Sequence, residues 1–206
     1  SECRLVLFDA RGHGQSDKPY DPSSYTWDHL VGDVLAVADE VGEERINLLG
    51  YSLGGVCCCF AAKLFPERIN SLIIGGASTR ARSFEAFAGV TGDDPEEFLA
   101  AYEATVGEIL PAESKERVLK TDIRVLSAMF NARRNEPSLA GVLASTRIPC
   151  MFFVGETDSI YENVLASAAE VPEAPVVVIP ESNHRGAFIN SASIAGKVLE
   201  FLNSVD

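Results

Sequence analysis

The sequence is poor in basic residues and contains no long apolar segment. Its 17 lysines and arginines stand against 30 aspartates and glutamates, which gives a formal net charge of −13. This charge argues against nucleic acids and anionic membrane surfaces as partners, because both repel an acidic protein. The longest uncharged stretch, residues 46–62, is too short to span a bilayer comfortably and is interrupted by glycines. We therefore predict neither a nucleic-acid-binding nor a membrane protein.

The number and spacing of the cysteines argue against both a disulfide framework and a zinc site. The five cysteines are odd in number and three of them are consecutive: Cys3, Cys57, Cys58, Cys59 and Cys150. Neighbouring residues on a helix point in different directions, and no C-x-x-C or Cys/His spacing is present. No signal peptide is visible at the start of the sequence. We expect buried thiols in a cytoplasmic protein that has neither a metal nor a cofactor.

The apolar pattern predicts one α/β domain with an insertion. The chain has 206 residues, and short continuous apolar runs alternate with helical periodicity, which is typical of a mostly parallel sheet flanked by helices. The predicted strands are residues 4–8, 45–49, 71–74, 150–154 and 175–179. Helices are predicted between Thr26 and Gly42 and over residues 53–65, 161–170 and 191–202.

Residues 78–147 interrupt this alternation, and we find no convincing strand among them. Asp94, Pro95 and Glu97 form the start of a helix with a capping box, and Thr121 is expected to cap a further helix. A helical insertion of this kind would lie over the carboxyl edge of the sheet, where open α/β sheets bind ligands. We therefore divide the chain into a core, residues 1–77 and 148–206, and a helical cap, residues 78–147.

A G-x-S-x-G motif, Gly50-Tyr51-Ser52-Leu53-Gly54, lies between a predicted strand and a predicted helix. In that context the serine occupies a sharp turn that pushes its hydroxyl clear of the backbone, and the flanking glycines avoid clashes. The helix start and the backbone N–H of Leu53 can stabilise an oxyanion. The pattern predicts Ser52 as a nucleophile.

A serine nucleophile needs a base, and the chain has only three histidines. His13 and His29 precede the motif, whereas His184 follows the last predicted strand and suits the order nucleophile, acid, base. The acid should follow the fourth strand, where Asp158 and Glu156 are available. We choose Asp158, which lies deeper in the loop, and keep Glu156 as the alternative. The predicted roles are those of a Ser–His–Asp triad.

The order of these motifs resembles that of the α/β-hydrolase superfamily. Residues 9–16 match its D-x-R-G-x-G-x-S stretch, residues 50–55 match its nucleophile turn, and Asn183-His184 resembles its histidine loop. The resemblance implies the α/β-hydrolase fold with a helical cap. Members with aspartate at the nucleophile position include haloalkane dehalogenases and epoxide hydrolases. Ser52 therefore points to esterases, lactonases, thioesterases, carbon–carbon bond hydrolases or perhydrolases.

One departure from the family pattern concerns the start of the sequence. Family members begin with three further strands and an H-G-x-x-x loop, which supplies a second oxyanion donor. The given chain begins at what resembles the fourth strand, so we expect a truncated sequence. Residues 4–8 are then expected either to be displaced or to pair directly with residues 45–49. Loss of one oxyanion donor can cost about a hundredfold in rate.

We predict a serine hydrolase that cleaves a carboxylic ester, or a related acyl bond, of a small to medium and partly apolar substrate. Two sets of residues in the predicted cap suggest its specificity. Aromatic and sulfur-containing side chains would either line a pocket or form the cap's own core: Phe84, Phe87, Phe98, Tyr102, Met129 and Phe130. Arginines would either meet a carboxylate or remain solvated: Arg80, Arg82, Arg133 and Arg134. The sequence leaves the oligomeric state open.

Two other functional classes fit the sequence less well than a hydrolase does. The fold also serves as a ligand receptor with a slow or unused triad, which an intact Ser52, Asp158 and His184 set disfavours. A phosphate-binding turn at residues 50–55 is disfavoured because no Lys-Ser or Lys-Thr follows the glycines. A G-x-G-x-x-G dinucleotide fingerprint is absent as well.

Overall fold

A computed structural model describes residues 3–107 and 109–205 of the chain. By its internal contacts the chain divides into two compact units. The first consists of the described residues of 1–5, 34–80 and 138–206, and the second contains 6–33 and the described residues of 81–137. The predicted division into core and cap stays a prediction. The segment 6–33 groups with the insertion rather than with the unit that contains the sheet.

The first unit contains a parallel sheet, as the sequence predicted. Its strands are β1 (Ile46–Tyr51), β2 (Ile69–Gly75), β5 (Cys150–Gly155) and β6 (Val176–Ile179), in the order β1-β2-β5-β6. All three pairings are parallel, with Leu72 opposite Cys150 and Phe152 opposite Val176. The central strand β5 is buried along its whole length, which explains its unbroken apolar sequence.

Helices connect and cover these strands. Those of the first unit are α2 (Leu53–Leu64), α6 (Val142–Thr146), α7 (Tyr161–Ala168), α8 (His184–Ile189) and α9 (Ala195–Val205). The helix α1 (Trp27–Glu40) precedes the sheet. Side chains of β2, β5 and β6 form one core cluster with α8, α9 and the turn before α9: Ile73, Met151, Phe153, Ile179, Ala187, Ile194, Phe201 and Leu202. The helix predicted from 191 begins as a 3-10 turn, Ser191–Ile194.

The predicted strand over residues 4–8 is wrong. These residues form no strand, and the side chains of Leu5 and Leu7 are about four-fifths exposed, at 79% and 83%. Among the described strands β1 pairs only with β2, so the alternative in which residues 4–8 pair directly with residues 45–49 is wrong. Arg4 merely reaches the Val41 carbonyl, at 3.3 Å, and Glu43. An isolated extended segment has no backbone partners that would hold it as a strand.

The D-x-R-G-x-G stretch has a structural role within the second unit. Arg11 donates to both carboxylate oxygens of Asp33, each at 2.6 Å, and to the Ser24 carbonyl at 2.7 Å. Such a two-pronged contact fixes both position and orientation. Gly12, with a φ of +84°, lies where a side chain would press on Tyr25 and Val125. The stretch therefore anchors its own segment.

The insertion is helical, but two details differ from the prediction. Its helices are α3 (Pro95–Val106), α4 (Ala112–Leu119) and α5 (Ile123–Ala132). Asp94 caps α3 as predicted, accepting from the N–H groups of Glu96 and Glu97. Asp122 rather than Thr121 caps α5, because the Asp122 carboxylate accepts from the Arg124 N–H at 3.2 Å, whereas the Thr121 hydroxyl donates to the Val118 carbonyl of the preceding helix. An antiparallel pair of two-residue strands, β3 (Arg82–Ser83) and β4 (Asn135–Glu136), was not predicted.

The aromatic residues of the insertion form the second unit's own core. Phe87 stacks on Phe130 at a centroid distance of 4.0 Å, and both Phe87 and Phe98 are fully buried. Met129 is buried as well, at 3% exposure. Of the two readings left open by the sequence, the structure supports core packing for these side chains.

None of the five cysteines, all of which the structure describes, forms a disulfide bond. Cys58 and Cys150 are buried, and burial raises the pKa of the Cys58 thiol well above its ordinary value and that of Cys150 to about 11. Buried, protonated thiols react slowly, because the thiolate is the nucleophile. Cys3, in contrast, is exposed.

We therefore expect a thiol reagent at neutral pH to modify Cys3 rapidly and Cys58 and Cys150 only after unfolding. The measurement is the time course of thiol titration, followed by mass mapping of the modified residues, with and without guanidinium chloride. A Cys3→Ser variant serves as the control and should lose the rapid phase. Fast native modification of Cys150 would contradict the buried thiol.

Candidate active site

Ser52 occupies a strained turn between β1 and α2. Its backbone angles are φ 52° and ψ −108°, in a region that residues other than glycine rarely adopt. The Ser52 N–H donates to the Gly75 carbonyl at 2.8 Å, and its own carbonyl accepts from the Val56 N–H at 3.0 Å. Such a conformation costs about 1–3 kcal/mol and persists only where the surroundings enforce it. The turn presents the hydroxyl at the start of a helix.

The glycines around Ser52 differ in how closely they are packed. A Cβ at Gly50 would lie 2.1 Å from the Gly54 carbonyl oxygen, and one at Gly55 would lie 2.6 Å from the Ala77 Cβ. A Cβ at Gly54 would meet no atom within 4 Å. The expectation that both flanking glycines relieve clashes therefore holds for Gly50 and is wrong for Gly54. The crowded second position is Gly55, because it faces the end of β2.

His184 is brought to Ser52 across 132 residues of sequence. Its Nε2 lies 2.9 Å from the Ser52 Oγ, and its Nδ1 lies 2.7 Å from the Asp158 Oδ2. The sequence placed His184 in a loop, whereas the structure makes it the first residue of α8, capped by Asn183. The helix begins at His184 because the Asn183 side chain accepts from the Gly186 N–H at 2.8 Å.

The Asp158 carboxylate is fully buried, whereas the His184 side chain is 41% exposed. Besides the imidazole, the carboxylate accepts from the Ile160 N–H at 3.1 Å. The acid and histidine loops are joined directly, because the Thr157 N–H donates to the Ser182 carbonyl at 3.0 Å. A Cβ at Gly155 would lie 2.1 Å from that same carbonyl oxygen. The loops are therefore packed backbone against backbone.

The alternative acid, Glu156, is exposed and directed elsewhere. Its carboxylate accepts from the Glu181 N–H at 2.9 Å and so supports the neighbouring turn. A hydrogen bond to His184 is made by Asp158, not by Glu156. Of the two candidates left open by the sequence, the geometry favours Asp158 as the partner of the imidazole.

The other residues singled out in the sequence are Leu53, two histidines and four arginines. Leu53 is the first residue of α2, so its N–H has no partner within the helix and remains available to an oxyanion. In the second unit, His13 Nδ1 contacts the Arg11 carbonyl and His29 Nδ1 contacts Thr26. Three of the four arginines approach carboxylates in the same unit: Arg82 and Arg133 at Glu136, and Arg134 at Glu85. Arg80 is exposed.

Sequence reasoning missed Tyr51, the residue directly before Ser52. Its hydroxyl donates to the backbone carbonyl of His184. No sequence pattern pointed to this contact, apart from the position of the tyrosine inside the motif.

Three further observations delimit the site. Among the described residues, no group of three or more His, Cys, Asp and Glu side chains is arranged to hold a metal ion. None of the described helices is long and apolar enough to cross a bilayer. A cavity of about 1000 Å³ lies between the start of β5 and the end of α9, and no triad residue lines it. The candidate active site is therefore separate from this cavity and lies at the carboxyl ends of the strands.

Comparison with known proteins decides the family. The model of the α/β-hydrolase fold family matches residues 1–104, half of the chain. The chain belongs to the α/β-hydrolase family. It is 25% identical to a putative 2-succinyl-6-hydroxy-2,4-cyclohexadiene-1-carboxylate synthase of Bacillus subtilis (strain 168), over 99% of this chain and 82% of that one.

Two further similarities agree with this assignment. Over 70 residues the chain is 37% identical to epoxide hydrolase 3 of Siraitia grosvenorii, which covers 34% of this chain and 22% of that enzyme. The solved structure of an enol-lactonase from Burkholderia xenovorans LB400 superposes with a TM-score of 0.74 at 23% identity, covering 95% of this chain and 79% of that one. Family membership supports a hydrolase, and the α/β-hydrolase fold expected from the sequence is confirmed.

The different packing of Gly50 and Gly54 predicts opposite effects of an alanine substitution on stability. Gly50→Ala forces a Cβ against backbone and should lower the free energy of unfolding by about 3 kcal/mol or more. Gly54→Ala places a Cβ in open space on a helix, so it should raise the free energy of unfolding by less than about 1 kcal/mol. Urea titration of both variants provides the measurement. Equal destabilisation of the two would contradict the geometry.

Proposed function

We propose that the protein is a serine hydrolase that cleaves a carboxylic ester, or a related acyl bond, of a small to medium and partly apolar substrate. The observation that carries this proposal is the continuous hydrogen-bonded series from the Ser52 hydroxyl through His184 to the Asp158 carboxylate, at 2.9 and 2.7 Å. A hydroxyl is a weak nucleophile until an adjacent base accepts its proton, and this arrangement supplies that base.

The proposed reaction proceeds through an acyl-enzyme. His184 Nε2 takes the proton from Ser52 as its oxygen attacks the carbonyl carbon, and the buried Asp158 carboxylate stabilises the resulting imidazolium. The Leu53 N–H donates to the developing oxyanion. His184 then returns the proton to the leaving group. Water enters, His184 acts as base again, and the acyl group is released from Ser52.

The nucleophile separates this proposal from epoxide hydrolysis. The chain resembles an epoxide hydrolase over a third of its length, and such enzymes, as the family resemblance implies, carry aspartate where this chain has Ser52. A serine alkoxide forms an ester with an acyl carbon, which water can cleave again. We therefore propose acyl transfer rather than epoxide opening.

A lactonase is the second candidate. The structural neighbour named an enol-lactonase supports it, and a lactone is a cyclic ester that the same three side chains would open. Comparing turnover of a lactone with that of its open-chain ester separates the two. Thioesterase, carbon–carbon bond hydrolase and perhydrolase activities stay predictions. The cytoplasmic location also stays a prediction.

Labelling with a fluorophosphonate probe tests the nucleophile. We expect the protein to be labelled at Ser52 and to hydrolyse simple aryl esters, whereas Ser52→Ala should lose labelling and at least about ten-thousandfold in turnover. Gel fluorescence and ester assays measure both. Ser204→Ala, on the last helix, is the matched control and should retain both properties.

Undiminished hydrolysis by Ser52→Ala would show that another group is the nucleophile. Absence of labelling together with tight binding of a small ligand would favour a receptor with an unused triad.

The two loop carboxylates predict unequal effects of amide substitution. Asp158→Asn removes the charge that orients and stabilises the imidazole, so kcat should fall by about a thousandfold or more. Glu156→Gln keeps an oxygen that accepts from Glu181, and kcat should change by less than about twofold. Steady-state kinetics with an aryl ester measure both. A larger loss in Glu156→Gln than in Asp158→Asn would reverse the choice of acid.

A further inference from the structure

Tyr51 connects the nucleophile turn to the histidine. It is the last residue of β1 and directly precedes Ser52. Its hydroxyl donates to the backbone carbonyl of His184, 133 residues away in sequence. The carbonyl belongs to the first turn of α8, and a carbonyl oxygen can accept two hydrogen bonds. The phenol therefore fixes the backbone from which the imidazole projects.

The surroundings of the Tyr51 ring restrict its position. Its centroid lies 5.1 Å from that of His184, 5.4 Å from Phe188 and 5.6 Å from Phe153. Gly76 leaves room for the phenol, because a Cβ there would lie 2.6 Å from the Tyr51 Cζ. Aromatic contacts of this kind hold a ring in one orientation. The hydroxyl is therefore presented to the His184 carbonyl by a ring that has little freedom to move.

The phenol remains a hydrogen-bond donor. Burial, together with the nearby Asp158 charge, raises the pKa of Tyr51 above its ordinary value. The hydroxyl is therefore protonated throughout the neutral range, and its donation to the carbonyl does not depend on pH there.

Without the phenol, two kinds of contact orient His184. Asn183 caps the start of α8 and so positions the helix, and Asp158 holds the ring through Nδ1. Neither of these contacts reaches the His184 carbonyl, which is otherwise held by the hydrogen bonding of α8 itself, a helix of six residues. A rotation of this peptide would move Nε2 relative to the Ser52 Oγ, and proton transfer depends steeply on that distance.

We propose that Tyr51 is a positioning residue, which holds the His184 backbone through its hydroxyl so that Nε2 faces the Ser52 hydroxyl. This proposal rests on the serine-hydrolase function proposed above. If Tyr51 only packed against its neighbours, its ring alone would suffice for full activity. A positioning role requires the Tyr51 hydroxyl as well.

The experiment compares Tyr51→Phe, which keeps the ring, with Tyr161→Phe, which removes a hydroxyl on α7 outside the triad. For Tyr51→Phe we expect kcat for an aryl ester to fall about tenfold while KM stays within about twofold. Tyr161→Phe should leave both constants unchanged. A fall in kcat alone separates loss of positioning from loss of substrate binding.

Proton NMR supplies a readout that does not depend on turnover. The Nδ1 proton shared between His184 and Asp158 should give a far-downfield signal, since it takes part in a short, charge-assisted hydrogen bond. In Tyr51→Phe we expect this signal to broaden through faster exchange with water, and in Tyr161→Phe to stay sharp.

The outcomes distinguish this proposal from the proposed function. Wild-type kcat together with a sharp downfield signal in Tyr51→Phe would overturn the positioning role, whatever Ser52→Ala shows. Undiminished turnover by Ser52→Ala would instead overturn the nucleophile assignment, and the downfield signal would then still decide whether Tyr51 restrains His184.

Discussion

The close approach of β1 to the first turn of α2 is the constraint on which the candidate site depends. The carbonyl of Gly54 fills the space that a side chain at residue 50 would need, and Gly55 lies against the end of β2. This crowding, together with the backbone hydrogen bonds of Ser52 to Gly75 and Val56, holds Ser52 at a positive φ, with its hydroxyl ahead of the helix. The strain at one residue is thus balanced by close packing of three backbone segments.

The other half of the site depends on the parallel sheet. Because β5 and β6 are adjacent and parallel, the loops that follow them leave the same edge, and the Glu156 and Thr157 N–H groups bond to carbonyls at Ile179 and Ser182. These backbone bonds keep Asp158 and His184 together although 26 residues separate them. Each loop therefore supplies one side chain of the pair, and the pairing of β5 with β6 fixes the distance between the two loops.

The sequence was informative where structure follows from local pattern. Apolar runs located the four strands of the sheet, and the strand–serine–helix context located the turn at Ser52. Prediction failed where a tertiary partner is missing or unforeseen and where neighbouring residues compete for a helix end. Residues 4–8 have the composition of a strand but find no ladder partner, Asp122 competes successfully with Thr121 for the helix end, and α8 begins at His184 through the Asn183 cap. The Tyr51 contact joins residues 133 positions apart, which no local pattern encodes.

Because β1 pairs with another strand on one side only, the protein is expected to be prone to aggregation. Within the described part of the chain, the other side of β1 presents a row of backbone donors and acceptors, and Leu49 on this strand is 52% exposed. An uncovered strand border can recruit an extended segment from a second molecule and so seed aggregates. The large negative charge counteracts such encounters at low ionic strength, and salt screens that repulsion. Dilute, low-salt buffers should therefore keep this chain dispersed.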